Sequence, residues 1–229
     1  MGIVYPDLDT IYSFRQQPTD GEIYLLKYLI KNTPDYVEIY FQPFLNGDRP
    51  DVILLIKDIG VYIIEVKDWN LDLYRIIDNG WRLKDDTKIP SPFKQVYDYK
   101  QSFFELHTRT LLQKFIFNKK FYRVIKPYVY FHNVTQEKIN IFFKESLSTI
   151  HNQHNTHNKF YRIKQLYRDW YNSIGTDSLY KIKIKQFKDH LFSDEIYSDF
   201  KINLQPPDCI LNKNINMQYN NDQKKFSKS

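Results

Sequence analysis

Two carboxylates and a lysine carry the chemistry that this sequence offers. They lie in the stretch RPDVILLIKDIGVYIIEVKDW, residues 49–69. Glu65 and Lys67 are two apart in a run with strand character, so they point to one face. Asp58-Ile59-Gly60 suits a three-residue hairpin loop with Gly in the left-handed position. That loop pairs residue 57 with 61, and hence 51 with 67, which brings Asp51 to the face of Glu65 and Lys67. An even-numbered loop would turn Asp51 to the opposite face. Two carboxylates in one site repel unless a cation sits between them. Hard oxygen ligands of this kind suit Mg2+ or Mn2+. Such a metal activates water and offsets charge on a phosphate. The backbone carbonyl of Val66 is placed to serve as a further ligand. Lys67 can orient the attacking water or offset phosphate charge. A solvated surface hairpin accounts poorly for these groups, because Ile63, Ile64 and Val66 flank them and unpaired buried charge is costly.

Three further residues are candidates for the same site. Glu22 precedes Leu25, Leu26 and Leu29 at spacings of three, four and seven, which sets it on the buried stripe of a helix. A Glu in a first helical turn also complements the helix dipole, a purely structural role. Gln95 and Tyr99 stand four apart and share a helix face. Gln95 can hold water or a phosphate oxygen, and Tyr99 can bond a phosphate or Glu65. His151, His154 and His157 recur every third residue, but they lie in a polar tract without an apolar face and read as a solvated loop. Trp69 and Trp81 could stack on bases, although capping the edge of a hairpin core is the commoner use.

The elements that must position these residues follow from periodicity and breakers. Asp20-Gly21 opens a helix that runs to about Asn32, where Thr33-Pro34 stops it. Residues 38–41 read as a short strand and 46–48 as a turn. Residues 51–57 and 61–67 are near-continuous apolar strands, the kind buried on both faces. Residues 73–77 and 81–83 form a second hairpin across Asn79-Gly80. Ser91-Pro92 supplies an N-cap and first-turn proline for a helix to about Phe117. Residues 128–131 and 139–143 read as further strands. This order describes an α/β fold with a central mixed, largely antiparallel sheet flanked by helices, over residues 1–145. Residues 146–229 read as a basic, partly helical extension. Within it 159–174 looks helical, 179–192 is ambiguous, Gln205-Pro-Pro-Asp is a break, and 212–229 is a polar tail or linker.

Composition narrows the classes of function. The chain has 229 residues, 42% hydrophobic and 26% charged, as in ordinary globular proteins. Its apolar runs are too short to span a bilayer, so no membrane partner is expected. Residues 1–10 carry two acids and no apolar core, so no signal peptide is expected, and the expected compartment is the cytoplasm. Cys209 is the sole cysteine, which excludes a disulfide framework or a thiolate zinc cluster. The net charge of +6 divides into −5 over residues 1–70 and +11 over 71–229. The second part can attract a polyanion.

The order Gly21-Glu22, Arg49-Pro50-Asp51, Gly60 to Trp69 (GVYIIEVKDW) and Pro92 to Tyr99 (PFKQVYDY) resembles the nuclease-related (NERD) domain over roughly residues 15–135. That family belongs to the PD-(D/E)xK nuclease superfamily, and Gln95 with Tyr99 is similar to a QxxxY motif found within it. The resemblance implies a restriction-endonuclease-like core and a magnesium-dependent phosphodiesterase acting on nucleic acid, DNA first of all. It carries Glu22, Asp51, Glu65, Lys67 and Gln95 into the site by motif position. It also implies a bacterial setting, a helicase or other module downstream or in trans, and for some such fusions a role in defence against foreign DNA. The alternatives are a nucleic-acid-binding module without turnover and, more remotely, a domain whose basic surface meets an acidic protein.

Overall fold

Helix α2 (Asp20–Asn32) begins at a capping box: Thr19 Oγ1 accepts from the Glu22 amide at 3.3 Å, and Glu22 Oε2 accepts from the Thr19 amide at 2.6 Å. It follows a short strand, β1 (Ile3–Tyr5), and a single-turn helix, α1 (Leu8–Tyr12). Leu25, Leu26 and Leu29 form its buried stripe. The computed structural model describes residues 1–45, 47–77, 80–152, 158–182 and 189–204.

Strands β2 (Val37–Phe41), β3 (Val52–Ile56) and β4 (Gly60–Lys67) form an antiparallel meander at the centre of the sheet. All of β3 and nearly all of β4 is buried, as unbroken apolar runs require. The β3–β4 register differs from the expected one. Ile56 opposes Gly60 and Val52 opposes Ile64, so the loop is Lys57-Asp58-Ile59. Asp58 takes the left-handed conformation at φ 62°, which Asp tolerates. Gly60 (φ 135°) opens the strand instead, where a Cβ would fall 2.5 Å from the Val124 carbonyl oxygen. The loop is still odd-numbered. The parity that matters is therefore retained, and the register extends to place Asp51 opposite Glu65 rather than Lys67.

Beyond β4 a small antiparallel sheet forms from β5 (Tyr74–Ile77), β6 (Gly80–Leu83) and β7 (Lys88–Ile89). The hairpin forms, but Gly80, expected in its turn, opens β6 and pairs with Ile77; Asn79, like Asn46 of the earlier turn, lies outside the described residues. Helix α3 (Pro92–Ser102) starts at Ser91 and Pro92 as expected. It does not continue unbroken to Phe117. A π-helical turn at Phe103–His107 ends at Thr108, and α4 (Arg109–Phe117) starts anew. Strand β8 (Ile125–Phe131) then pairs parallel with β4. The strand expected at 139–143 is instead part of helix α5 (Gln136–Asn152). Ile139, Phe142, Phe143, Leu147 and Ile150 are buried at helical spacing, and a five-residue window hid that period.

Helix α5 passes through residue 145, and the chain after it completes the same sheet. Helix α6 (Lys159–Tyr171) leads into β9 (Ser173–Gly175), which pairs parallel with β8. Helix α7 (Asp194–Leu204) places Ile196, Phe200 and Leu204 in the core. The ambiguous segment 179–192 begins within a 3-10 helix (Thr176–Lys181), and its residues 183–188 lie outside the described residues, as do His154, His157 and the tail. The sheet order is β1-β2-β3-β4-β8-β9, a mixed sheet with helices on both faces. Odd-numbered residues of β3 and β4, such as Ile53 and Ile63, pack with Phe93, Phe143 and Phe200 of α3, α5 and α7. Even-numbered residues, such as Leu54 and Ile64, pack with Leu25 and Leu29 of α2. Among the described residues no helix is long and apolar enough to cross a membrane.

Candidate active site

Odd numbering places Asp51, Glu65 and Lys67 on the α3 face of the sheet, where Ile53, Val61 and Ile63 form the core one step further along each strand. Glu65 and Lys67 meet directly, and Asp51 stands near enough for the charge of Glu65 to act on it. Lys67 Nζ donates to Glu65 Oε1 at 2.6 Å. Asp51 Oδ2 accepts from the Val66 amide at 2.7 Å, so the aspartate finishes the ladder that β3 leaves. A strand residue directs its N–H and C=O to the same side. Val66 therefore turns its carbonyl toward Asp51, whereas the carbonyl of Lys67 accepts from His132 N beside β8.

Helix α3 closes the site from above. Lys67 Nζ lies 3.4 Å from Gln95 Oε1, Gln95 Nε2 donates to the Tyr99 hydroxyl at 2.9 Å, and that hydroxyl reaches the Arg49 carbonyl at 3.3 Å. Tyr99 thus touches Gln95 and the Arg-Pro-Asp turn rather than Glu65. Trp69 lies beneath the lysine, its ring centroid 5.8 Å from Nζ, and stacks on Tyr74 at 4.5 Å. Both Trp69 and Trp81 are built into this aromatic layer at the edge of the small sheet, the capping use expected of them.

Glu22 arrives from the opposite layer, on α2. Both its oxygens are engaged: Oε2 in the capping box and Oε1 by Gln42 Nε2 at 2.7 Å. Its charge reaches the pair, since it raises the pKa of both Asp51 and Glu65. Two residues that sequence reasoning passed over hold this corner. Gln42, at φ 45° just past β2, links Glu22 to Arg49, whose Nη2 donates to Gln42 Oε1 at 2.8 Å. Asp68 Oδ2 accepts from the Gly21 amide at 3.2 Å and pins the start of α2 to the end of β4. Only glycine fits there, because a Cβ on residue 21 would lie 1.9 Å from Asp68 Oδ1 and 2.8 Å from His132 Cβ. The signal for Asp68 was its place directly after Lys67; for Gln42 it was the end of a strand next to β3, visible only once the sheet order is known.

Electrostatics set this corner apart. Glu65 is 2% exposed, and its Oε2 has no hydrogen-bond partner among the described residues. Burial raises its pKa, against the opposing pull of Lys67. Burial, and then the nearby Glu65 charge, push Asp51 up to about 8, with the Val66 amide working the other way. Both acids are driven toward the neutral form, and a cation would reverse that. Asp51, Glu65 and the Val66 carbonyl are hard oxygen donors, and an orphaned buried carboxylate oxygen is what a divalent metal would satisfy. The fit is to a pair of acids. Among the described residues no three His, Cys, Asp or Glu side chains form a metal-holding group.

The family profile described as nuclease-related domain matches residues 17–132, just over half of the chain. Comparison with curated proteins gave no match, and neither did comparison with solved structures.

Proposed function

Because the chain belongs to the nuclease-related domain family, we propose that it hydrolyses phosphodiester bonds of DNA with Mg2+ or Mn2+ held by Asp51, Glu65 and the Val66 carbonyl. The observation that carries this reading is the buried, unpartnered Oε2 of Glu65 beside Asp51. A bound divalent ion would supply Lewis acidity toward the phosphate and lower the pKa of water. The chain's own groups do the rest. Lys67, held between Glu65 and Gln95, presents an ammonium to the charge that develops on the phosphate. Gln95, steadied by Tyr99, orients water or a phosphate oxygen, and Tyr99 contributes to substrate binding. Glu22, whose oxygens are held by Thr19 and Gln42, acts on the pair through its negative charge, which would favour a bound cation. The Asp68–Gly21 contact holds Glu22 in place. A helicase or other module, downstream or in trans, would deliver substrate, as fits a bacterial defence role.

The test is incubation of linear, circular and single-stranded DNA with Mg2+, Mn2+ or chelator, for wild type and Glu65→Gln. Cleavage should require metal and should vanish in the variant. Full activity of Glu65→Gln under conditions where wild type cuts would overturn the assignment. DNA binding without cleavage in any metal would favour a binding module that recruits nucleic acid to a partner.

A further inference from the structure

Helix α6 lies outside the segment matched by the family and has an unusual surface. Phe160, Tyr167 and Tyr171 are 83%, 52% and 84% exposed. They are spaced by seven and four residues, so they share one face. The stripe spans about 16 Å along the helix axis. Lys164 lies between the rings and the exposed Arg168 stands beside them. The helix's one acid, Asp169, is buried and paired with Arg168 at 3.4 Å, so the outward charge is positive.

Beside the stripe is a cleft of about 550 Å³, walled by Tyr128, Tyr167, Trp170 and Tyr171 with Lys181 also lining it. Trp170 and Tyr167 are held in place from behind. Trp170 Nε1 donates to Asn140 Oδ1 at 2.8 Å, its ring lies parallel to Phe143, and Tyr167 lies parallel to Trp170 at 6.2 Å between centroids. Tyrosine-rich aromatic faces with lysines beside them suit flat rings on an anionic chain.

We propose that α6 and this cleft bind single-stranded nucleic acid, with unpaired bases stacked on Tyr167, Tyr171 and Phe160 and phosphates met by Lys164 and Lys181. The proposal rests on the nuclease reading and names the form of its substrate. Charge selects the occupant: a second copy of the chain would press one cationic helix against another, while a polyanion is complementary. Base faces are hidden inside a duplex and available in a single strand, so the rings select the single strand.

The experiment is fluorescence anisotropy in chelator with labelled 15-mers of oligothymidylate and oligouridylate and a duplex of equal length, using the whole chain. Wild type should bind either single strand at least tenfold more tightly than the duplex. Phe160→Ala and Tyr171→Ala remove exposed rings without opening the core, and each should weaken single-strand binding on the order of tenfold. Lys164→Ala should lower the salt slope by about one. Unchanged affinity in the Phe160→Ala/Tyr171→Ala double variant, no preference over duplex, or a wild-type dimer that the double variant dissociates would each overturn the proposal. Cleavage of duplex in Mg2+ without such a preference sinks this inference alone. Single-strand binding through α6 by a protein that never cuts sinks the nuclease reading and leaves this one standing.

Discussion

Two buried glutamates stand on the same face of the same sheet, each with a lysine, and they have opposite fates. Glu38 on β2 accepts from the Tyr40 hydroxyl at 2.6 Å, from the Tyr197 hydroxyl, and from Lys201 Nζ at 2.9 Å. Burial raises its pKa, but those three donors outweigh burial, and the net shift is downward. Glu65 on β4 has Lys67 on one oxygen and, among the described residues, no hydrogen-bond partner on the other, and burial raises its pKa. Burial and a lysine are common to both. The difference is saturation: Glu38 closes a network that ties α7 to the sheet, whereas Glu65 keeps an acceptor open toward Asp51. A buried acid with both oxygens served reads as structure, and one with an unserved oxygen next to a second acid reads as a ligand.

The largest expected effect breaks that comparison on activity. Asp51→Asn should reduce cleavage at least a thousandfold, as removal of a metal carboxylate does, while Glu38→Gln should keep the cleavage rate of the folded protein. Lys67→Ala should lose cleavage yet still show a Mg2+-dependent rise in Tm, because an ammonium is no ligand. Single-turnover assays beside thermal melts separate these outcomes; equal loss of cleavage in Glu38→Gln would collapse the distinction.

Next in size is a positional effect. Gly21→Ala forces a Cβ onto Asp68 and so displaces the start of α2 together with Glu22. A drop in kcat on the order of tenfold to a hundredfold is expected, since misplacement by about 1 Å can cost that much. A kcat equal to wild type would mean that Glu22 has no part in the reaction.

A third test reverses roles. Glu38→Gln leaves buried hydroxyls and Lys201 with a poorer acceptor and should cost about 1–3 kcal/mol of stability. Urea titration measures it, and the centre around Asp51 should show the opposite response, with Asp51→Asn raising the stability of the metal-free protein at pH 8.

The smallest effects are in the pH dependence of melting, and their signs differ. The folded pKa of Glu38 is lowered, so its contribution is present above the ordinary value of 4.5 and lost as pH falls through the folded pKa. The folded pKa of Asp51 is raised from 3.8 to about 8, so the metal-free fold is favoured at low pH and loses that advantage as pH rises through about 8. Mg2+ should therefore raise Tm more at pH 8 than at pH 5, by a few degrees. Asp51→Asn should flatten the profile between pH 5 and 8, and Glu38→Gln should flatten it below about 4.5. An equal Mg2+ effect at both pH values would argue against Asp51 as a ligand.

The legibility of the sequence follows the same division between local and distant causes. Glu65 and Lys67 share a face because strand period is two, and an odd loop brings Asp51 to them even though the register shifts by one pair. The helix start at Ser91-Pro92 was equally readable, since N-cap and first-turn proline are local hydrogen-bond and φ preferences. Strands β1 and β9 were not, because three residues carry no period, and each exists only by pairing with a neighbour. Helix α5 was missed over 139–143 for a related reason: five residues fit either period until Leu147 and Ile150 are counted.

The sequence alone therefore determined which residue types occupy the centre of β4 and which way they face, since parity and capping are decided within a few residues of the chain. Only the tertiary structure decided what each buried charge meets. Glu38 finds Tyr197 and Lys201 some 160 positions away on α7, Glu22 finds Gln42 across the sheet edge, and Glu65 is left with an open oxygen. Desolvation applies to every buried acid, and its compensation depends on donors brought by distant elements, so whether an acid becomes a brace or a ligand is settled by packing.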